Sequence, residues 1–166
     1  IKMKNCKENN KQVTGEFIML GDERYYAINN MNQMAPFFIS VISNSDHWLF
    51  VSSSGGLTAG RVSPETALFP YITVDRIHES DLHTGCKTLL RVTSESVDEQ
   101  GKTDTWEPFN REHDSHYNVT RNLYKNLLGN KICFEEVNND LQLKYKYTWA
   151  TSEEFGFVRQ CELENL

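Results

Sequence analysis

Alternation of apolar and polar positions with a period of two dominates this chain. In "LQLKYKYTW" (141–149), Leu141, Leu143, Tyr145, Tyr147 and Trp149 share one parity, while Gln142, Lys144, Lys146 and Thr148 share the other. A pleated strand sends successive side chains to opposite faces, so these apolar residues form one face and both lysines stay in water. A helix would spread them around its whole circumference. The pattern predicts a half-buried strand. Strand-length apolar runs recur in "RYYAI" (24–28), "FFISVIS" (37–43), "HWLFVSS" (47–53), "KTLLRVTSESV" (87–97), "KICFEEV" (131–137) and "FGFVRQCEL" (155–163). "FFISVI" and "WLFV" are apolar at both parities, which predicts strands in a sheet covered on both faces.

Turn-forming residues separate these runs: "NSD" (44–46), "EQGK" (99–102), "NND" (138–140) and "TSEE" (151–154). Hairpins follow. One stretch departs from the pattern. In "VTRNLYKNLLGNK", Leu123, Tyr124, Leu127 and Leu128 fall at helical spacing, with Gly129-Asn130 as a stop, so one short helix is the alternative there. The expected fold is all-β, an antiparallel β-sandwich forming a single domain over residues 1–166. The final apolar run, "GFVRQCELENL", reaches Leu166 without a turn. That pattern is expected of the leading piece of a larger, here incomplete, sandwich.

Charge narrows the partners. With 23 acidic and 17 basic residues the net charge is −6, and no basic stripe is present, so nucleic acid is not an expected partner. No run approaches the ~20 apolar residues that span a bilayer, so no membrane segment is expected either. Cys6, Cys86, Cys133 and Cys161 show neither metal-ligand nor disulfide-framework spacing. Reduced thiols and a cytoplasmic location are the expectation.

"SSSGGLTAGR" (52–61) poses the main chemical question: phosphate cradle, flexible linker, or lip of a sugar site. A Walker loop requires a lysine after its last glycine, whereas Gly55, Gly56 and Gly60 lead into Arg61-Val62 and no amphipathic helix follows. The phosphate cradle is thereby set aside, leaving a wide strand-joining loop or a backbone-lined lip beside Arg61. Two histidine knots, His78-Glu79-Asp81-His83 and His113-Asp114-His116, have the residue types but not the preorganised spacing of a metal site, and they read as solvated loops. Glu135 and Glu136 are neighbours on a strand and point to opposite faces, so they cannot flank one glycosidic bond. The inward one requires a partner such as Arg121 or Arg159. No nucleophile elbow or triad spacing appears, and no catalytic residue, metal or cofactor is assigned. "NVT" (118–120) matches a glycosylation sequon, relevant only to an exported chain. Among the aromatics, Trp48 and Trp149 belong to buried runs. Trp106, set in the polar "TDTWEPFN", is the expected exposed platform for stacking on a sugar, with Tyr71 and Tyr117 as further candidates.

Taken together, "APFFISVISNSDHWLFVSSSGGLTAGR", "ALFPYITVDRI", "NLYKNLLGNKICFEEVNNDLQLKYKYTW" and "FGFVRQCELENL" resemble the N-terminal β-sandwich domain of cellobiose-phosphorylase-like glycoside hydrolases and phosphorylases. The resemblance covers most of residues 25–166 and includes the late pattern Arg159, Leu163, Asn165. It implies a supersandwich of the galactose-mutarotase-like kind ahead of a downstream (α/α)6 catalytic domain, which would hold the catalytic acid. The sandwich would help to shape the substrate cleft and a homodimer contact. Arg61, Gly55, Gly56 and Trp106 then become the candidate carbohydrate-binding residues, on a chain without turnover of its own. The alternatives are a stand-alone carbohydrate-binding module and a mutarotase-like enzyme using a His and a Glu as acid and base.

Overall fold

Two antiparallel sheets of unequal width enclose the apolar core. A computed structural model describes residues 12–69, 71–73, 75–80, 83–93 and 103–166. In chain order its strands are β1 (Thr14–Leu20), β2 (Glu23–Asn29), β3 (Phe38–Val41), β4 (His47–Ser52), β5 (Leu57–Arg61), β6 (Leu90–Thr93), β7 (Thr103–Trp106), β8 (Val119–Asn126), β9 (Lys131–Asn138), β10 (Leu143–Ser152) and β11 (Gly156–Asn165). The wide sheet has six strands in the order β1-β2-β8-β9-β10-β11, the narrow sheet is β3-β4-β5, and β6-β7 is a separate hairpin. Only short 3-10 turns interrupt the strands among the described residues. The chain is all-β and sandwich-like, as the alternation predicts.

Parity explains the packing. Tyr145, Tyr147 and Trp149 of β10 lie opposite Glu136, Phe134 and Ile132 of β9, and all of them face inward. They meet Leu49, Val51, Leu57 and Ala59 of the narrow sheet in one core. Burying each such side chain contributes about 1.5–3 kcal/mol. Polar contacts join the layers at one end: Lys125 Nζ donates to the Ser40 carbonyl at 2.9 Å, and Thr151 Oγ1 to the Ile42 carbonyl at 2.9 Å. The Ile42 amide completes the link by donating to the Gly129 carbonyl at 2.8 Å.

The second face of the narrow sheet is also covered. Ile77 is fully buried, the Ile72 amide donates to Thr58 Oγ1, and Tyr71 meets Trp48 edge to face at 6.0 Å. At Gly60 the approach is so close that a Cβ would lie 2.8 Å from the Ala67 Cα and 2.5 Å from the Trp48 ring. Central β4 is thus covered on both sides, as expected, but β3 is an edge strand and leaves Phe38 48 % exposed.

Residues 119–126 form strand β8 and not a helix. Residues 119–125 pair with β9 and 123–126 with β2, and Leu123 enters the core opposite Phe134. Leu127 and Leu128 belong to the exposed β8–β9 turn, which Gly129 closes at a φ of 76°. Three further strands were not expected: β1 holds the apolar run Phe17–Leu20, whereas β5 and β7 carry no clear one. The strand expected over 87–97 is present at Leu90–Thr93. Its end at 94–97, the "EQGK" turn, Cys6 and Asp81 lie outside the described residues.

An ion pair is buried at one end of the core. Arg121 on β8 lies opposite Glu136 on β9, and its Nε donates to Glu136 Oε2 at 2.6 Å, with side-chain exposures of only 7 % and 1 %. Trp106 Nε1 donates to Glu136 Oε1 at 2.9 Å, and the Phe109 amide to Oε2 at 2.7 Å. The other edge of the guanidinium holds both oxygens of Asp114, at 3.0 and 2.5 Å. Burial opposes the charge on Arg121, but Glu136 and Asp114 outweigh it and raise its pKa further. Removing one partner strands the other charge. Glu136→Gln and Arg121→Met should each cost about 3–5 kcal/mol in urea unfolding, with the double variant losing less than the sum of the two. Gly60→Ala should cost more than about 1 kcal/mol, because backbone as well as the Trp48 ring must move.

Candidate functional site at the sandwich rim

A cleft opens where β10 and β11 extend beside the β4–β5 turn and the segment following β7. Its walls include Gly55, Thr88, Glu107, Phe109, Arg111 and Arg159. The empty space, mouth included, is about 490 Å³, of which about 40 Å³ admits the centre of a water molecule. A second cleft of about 400 Å³ adjoins it, sharing Ser54, Phe109 and Arg111.

The serine-glycine stretch makes the lip of this cleft by folding on itself. Ser52 Oγ lies 2.6 Å from Ser54 Oγ and accepts the Ser54 amide at 3.1 Å, while the Ser52 amide donates to the Gly56 carbonyl at 2.7 Å. Gly55 takes a φ of 97°, open to glycine and strained for other residues. The stretch is a self-bonded hairpin turn. It is neither a linker nor an anion cradle.

The aromatic floor comes from β10 and from Phe109. Tyr147 stacks on Phe134 at 4.9 Å, and Phe109 meets Tyr147 edge to face at 5.0 Å. Phe109 holds a φ of 67°, a conformation that costs of order 1–3 kcal/mol in a residue with a side chain. Its amide bond to Glu136 and its three ring contacts offset that cost. Arg159 of β11 lies over the Tyr147 ring at 4.7 Å, and its Nη2 donates to Tyr145 Oη at 3.1 Å. Tyr145 Oη also shares a hydrogen bond with Thr88 Oγ1 at 2.6 Å. Burial raises the pKa of both tyrosines, so both stay neutral.

The carboxylates nearby are engaged. Glu136 and Asp114 serve Arg121. Glu107 accepts from Lys87 at 3.2 Å and from Asn110 at 2.9 Å. Burial pushes Glu107 up, yet the bonds from Asn110 and Lys87 prevail and hold its carboxyl below the ordinary 4.5. Glu135 lies on the opposite face of the wide sheet with Tyr124, Asn122 and Lys146, so the two adjacent glutamates do point apart. The cleft offers hydroxyls, guanidinium donors and aromatic faces, which is chemistry suited to holding a polar ligand.

Gly55 is thus the one sugar-site candidate from the sequence that lines the cleft. Gly56 is buried behind the turn. Arg61 is exposed at the far end of β5, opposite His47, and is not among the lining residues. Trp106 corrects the expectation of an exposed platform: it is 0 % exposed, because hairpin pairing opposite Leu90 turns it into the core and Glu136 accepts its indole N–H. Trp149 is buried as expected, and Trp48 is half-buried. Tyr117 is half-buried and donates to the Thr105 carbonyl at 3.0 Å. His113 and His116 lie 6.0 Å apart between ring centroids, and among the described residues no group of three or more His, Cys, Asp or Glu side chains converges on a metal position. Arg111, Lys87, Phe109 and the role of Arg159 were not foreseen. For Arg159 a signal existed, since it is a charge at the inward parity of Phe157 and Leu163.

No protein-family model matches the chain, and the curated proteins contain no match to it.

The Glu107 corner makes a pH prediction. A carboxyl whose folded pKa is depressed adds stability above its unfolded value and loses it as pH falls through the folded one. Lowering pH from about 5 to about 3 should therefore weaken the Lys87–Glu107–Asn110 corner, by less than about 1 kcal/mol given its partial exposure. In urea unfolding, Glu107→Gln should remove that share of the acid sensitivity.

Proposed function

We propose that this chain is a noncatalytic β-sandwich unit of a carbohydrate-active protein, with the rim cleft as its saccharide contact. The reading follows the resemblance to the N-terminal domain of cellobiose-phosphorylase-like enzymes. There, β-linked oligosaccharides are processed by an (α/α)6 domain downstream, and the sandwich helps to form the cleft and a homodimer contact. One observation carries it: a polar cleft with an aromatic floor whose one carboxylate among the described residues, Glu107, is bonded to Lys87 and Asn110. Sugars present ring hydroxyls and apolar C–H faces together, and planar polar groups beside aromatic rings complement both. General acid–base hydrolysis instead needs two carboxyls facing each other across the bond to be broken. The second reading, a stand-alone carbohydrate-binding module, draws on the same geometry.

Titration calorimetry of the chain with β-linked gluco-oligosaccharides tests the proposal. Saturable binding is expected, with no hydrolysis and no interconversion of anomers. Arg159→Gln should weaken it about tenfold by removing charge-assisted donors. Turnover by this chain, or binding indifferent to Arg159, would overturn the reading.

A further inference from the structure

The rim cleft carries a charge that neutral sugar binding does not require. Among the described residues, Lys87, Arg111 and Arg159 line it against one carboxylate, Glu107, a local excess of two positive charges in a chain of net charge −6. Lys87 already answers Glu107. Asp114, which lines the adjoining cleft with Arg111, is held by two nitrogens of Arg121. Among the described residues, neither guanidinium lining the cleft is therefore neutralised by a carboxylate of the cleft.

Arg159 has donors to spare. A guanidinium carries five N–H groups. Described residues accept from Nη1, through Cys161 Sγ at 2.9 Å, and from Nη2, through Tyr145 Oη at 3.1 Å, while Nε is buried without a partner. The Tyr147 ring beneath it fixes the guanidinium plane without consuming a donor. Arg111 is exposed at the junction of the two clefts. Planar forks of this kind match carboxylates bidentately.

We infer that the cleft takes an anionic saccharide, a uronic acid residue whose carboxylate is met by Arg111 and Arg159. The inference rests on the saccharide reading above and adds the ligand's charge to it. The test is calorimetric titration of the chain with a glucose disaccharide, the matching glucuronic acid disaccharide, a glucose phosphate, and acetate or inorganic phosphate alone. The uronate should bind at least tenfold more tightly than the neutral disaccharide, and added salt should erode that advantage. Arg111→Ala should abolish the advantage while leaving the urea midpoint unchanged, as suits an exposed residue. Equal affinity for neutral and acidic disaccharides would overturn this inference and leave the saccharide reading standing. Preference for the phosphorylated sugar would overturn the carboxylate assignment. Simple anions binding as well as the uronate would reduce the cleft to a general anion site and overturn it too. Failure of every ligand to bind would overturn both readings.

Discussion

The buried pairing of Arg121 with Glu136 sets the terms for one whole end of this protein. Two charges with side-chain exposures of 7 % and 1 % are tolerable only when every remaining lone pair and proton is answered. Glu136 satisfies that demand by drawing in the Trp106 indole and the Phe109 amide, and Arg121 by drawing in Asp114. The Arg121 amide itself donates to Asn32 Oδ1, so the segment after β2 is held at the same point. Strands β7, β8 and β9, the loop 107–114 and the residues around Asn32 are thereby fixed to one pair. An apolar pair of similar volume could equal it in stability but would offer no acceptor to the Trp106 indole and the Phe109 amide.

The rim cleft is a consequence of that docking. Phe109 can hold its left-handed backbone only because Glu136 claims its amide and three aromatic rings surround its side chain. That backbone leads directly into Asn110 and Arg111, which form the cleft wall. The same commitments engage the acidic groups at this end of the core, Glu136 and Asp114, with Arg121. The residues that stabilise this end of the core therefore also shape the cleft.

The sequence made much of the wide sheet legible through parity alone. The alternation in β10 placed Tyr145, Tyr147 and Trp149 correctly, and the same rule divided Glu135 from Glu136 and required for the inward one a partner such as Arg121 or Arg159, of which Arg121 is the one found. Helical spacing at Leu123, Leu127 and Leu128 misled because the latter two belong to a turn, and sheet partners on both flanks decide the state of β8. Strand β5 hides its alternation because Thr58 and Gly60 face a packed segment that tolerates only small groups. Trp106 is illegible from its neighbours, since all residues from Thr103 to Pro108 except itself are polar or turn-forming and its partner lies 30 positions along the chain. The cleft was legible only at Gly55. Its other walls meet through contacts between segments that are distant in sequence.

Unequal sheet widths explain why the cleft sits where it does. Six strands at a spacing of about 4.8 Å span roughly 24 Å between outer axes, and three span roughly 10 Å, so the narrow layer cannot cover the wide one. The uncovered inner face is visible at both edges, in Phe17 and Met19 of β1 and Leu163 of β11, each more than half exposed. Near β10 the β6–β7 hairpin and the 107–111 segment fill part of the overhang, which converts a bare shelf into a walled cleft. Arg159 projects from a paired strand, whereas Arg111 projects from a loop held through Glu136 and Asn110. Groups on strands are positioned more accurately than groups on loops. The precision of the cleft therefore depends on how firmly the buried pair holds that loop, and a change at Arg121 acts on the cleft's geometry without lining its first wall.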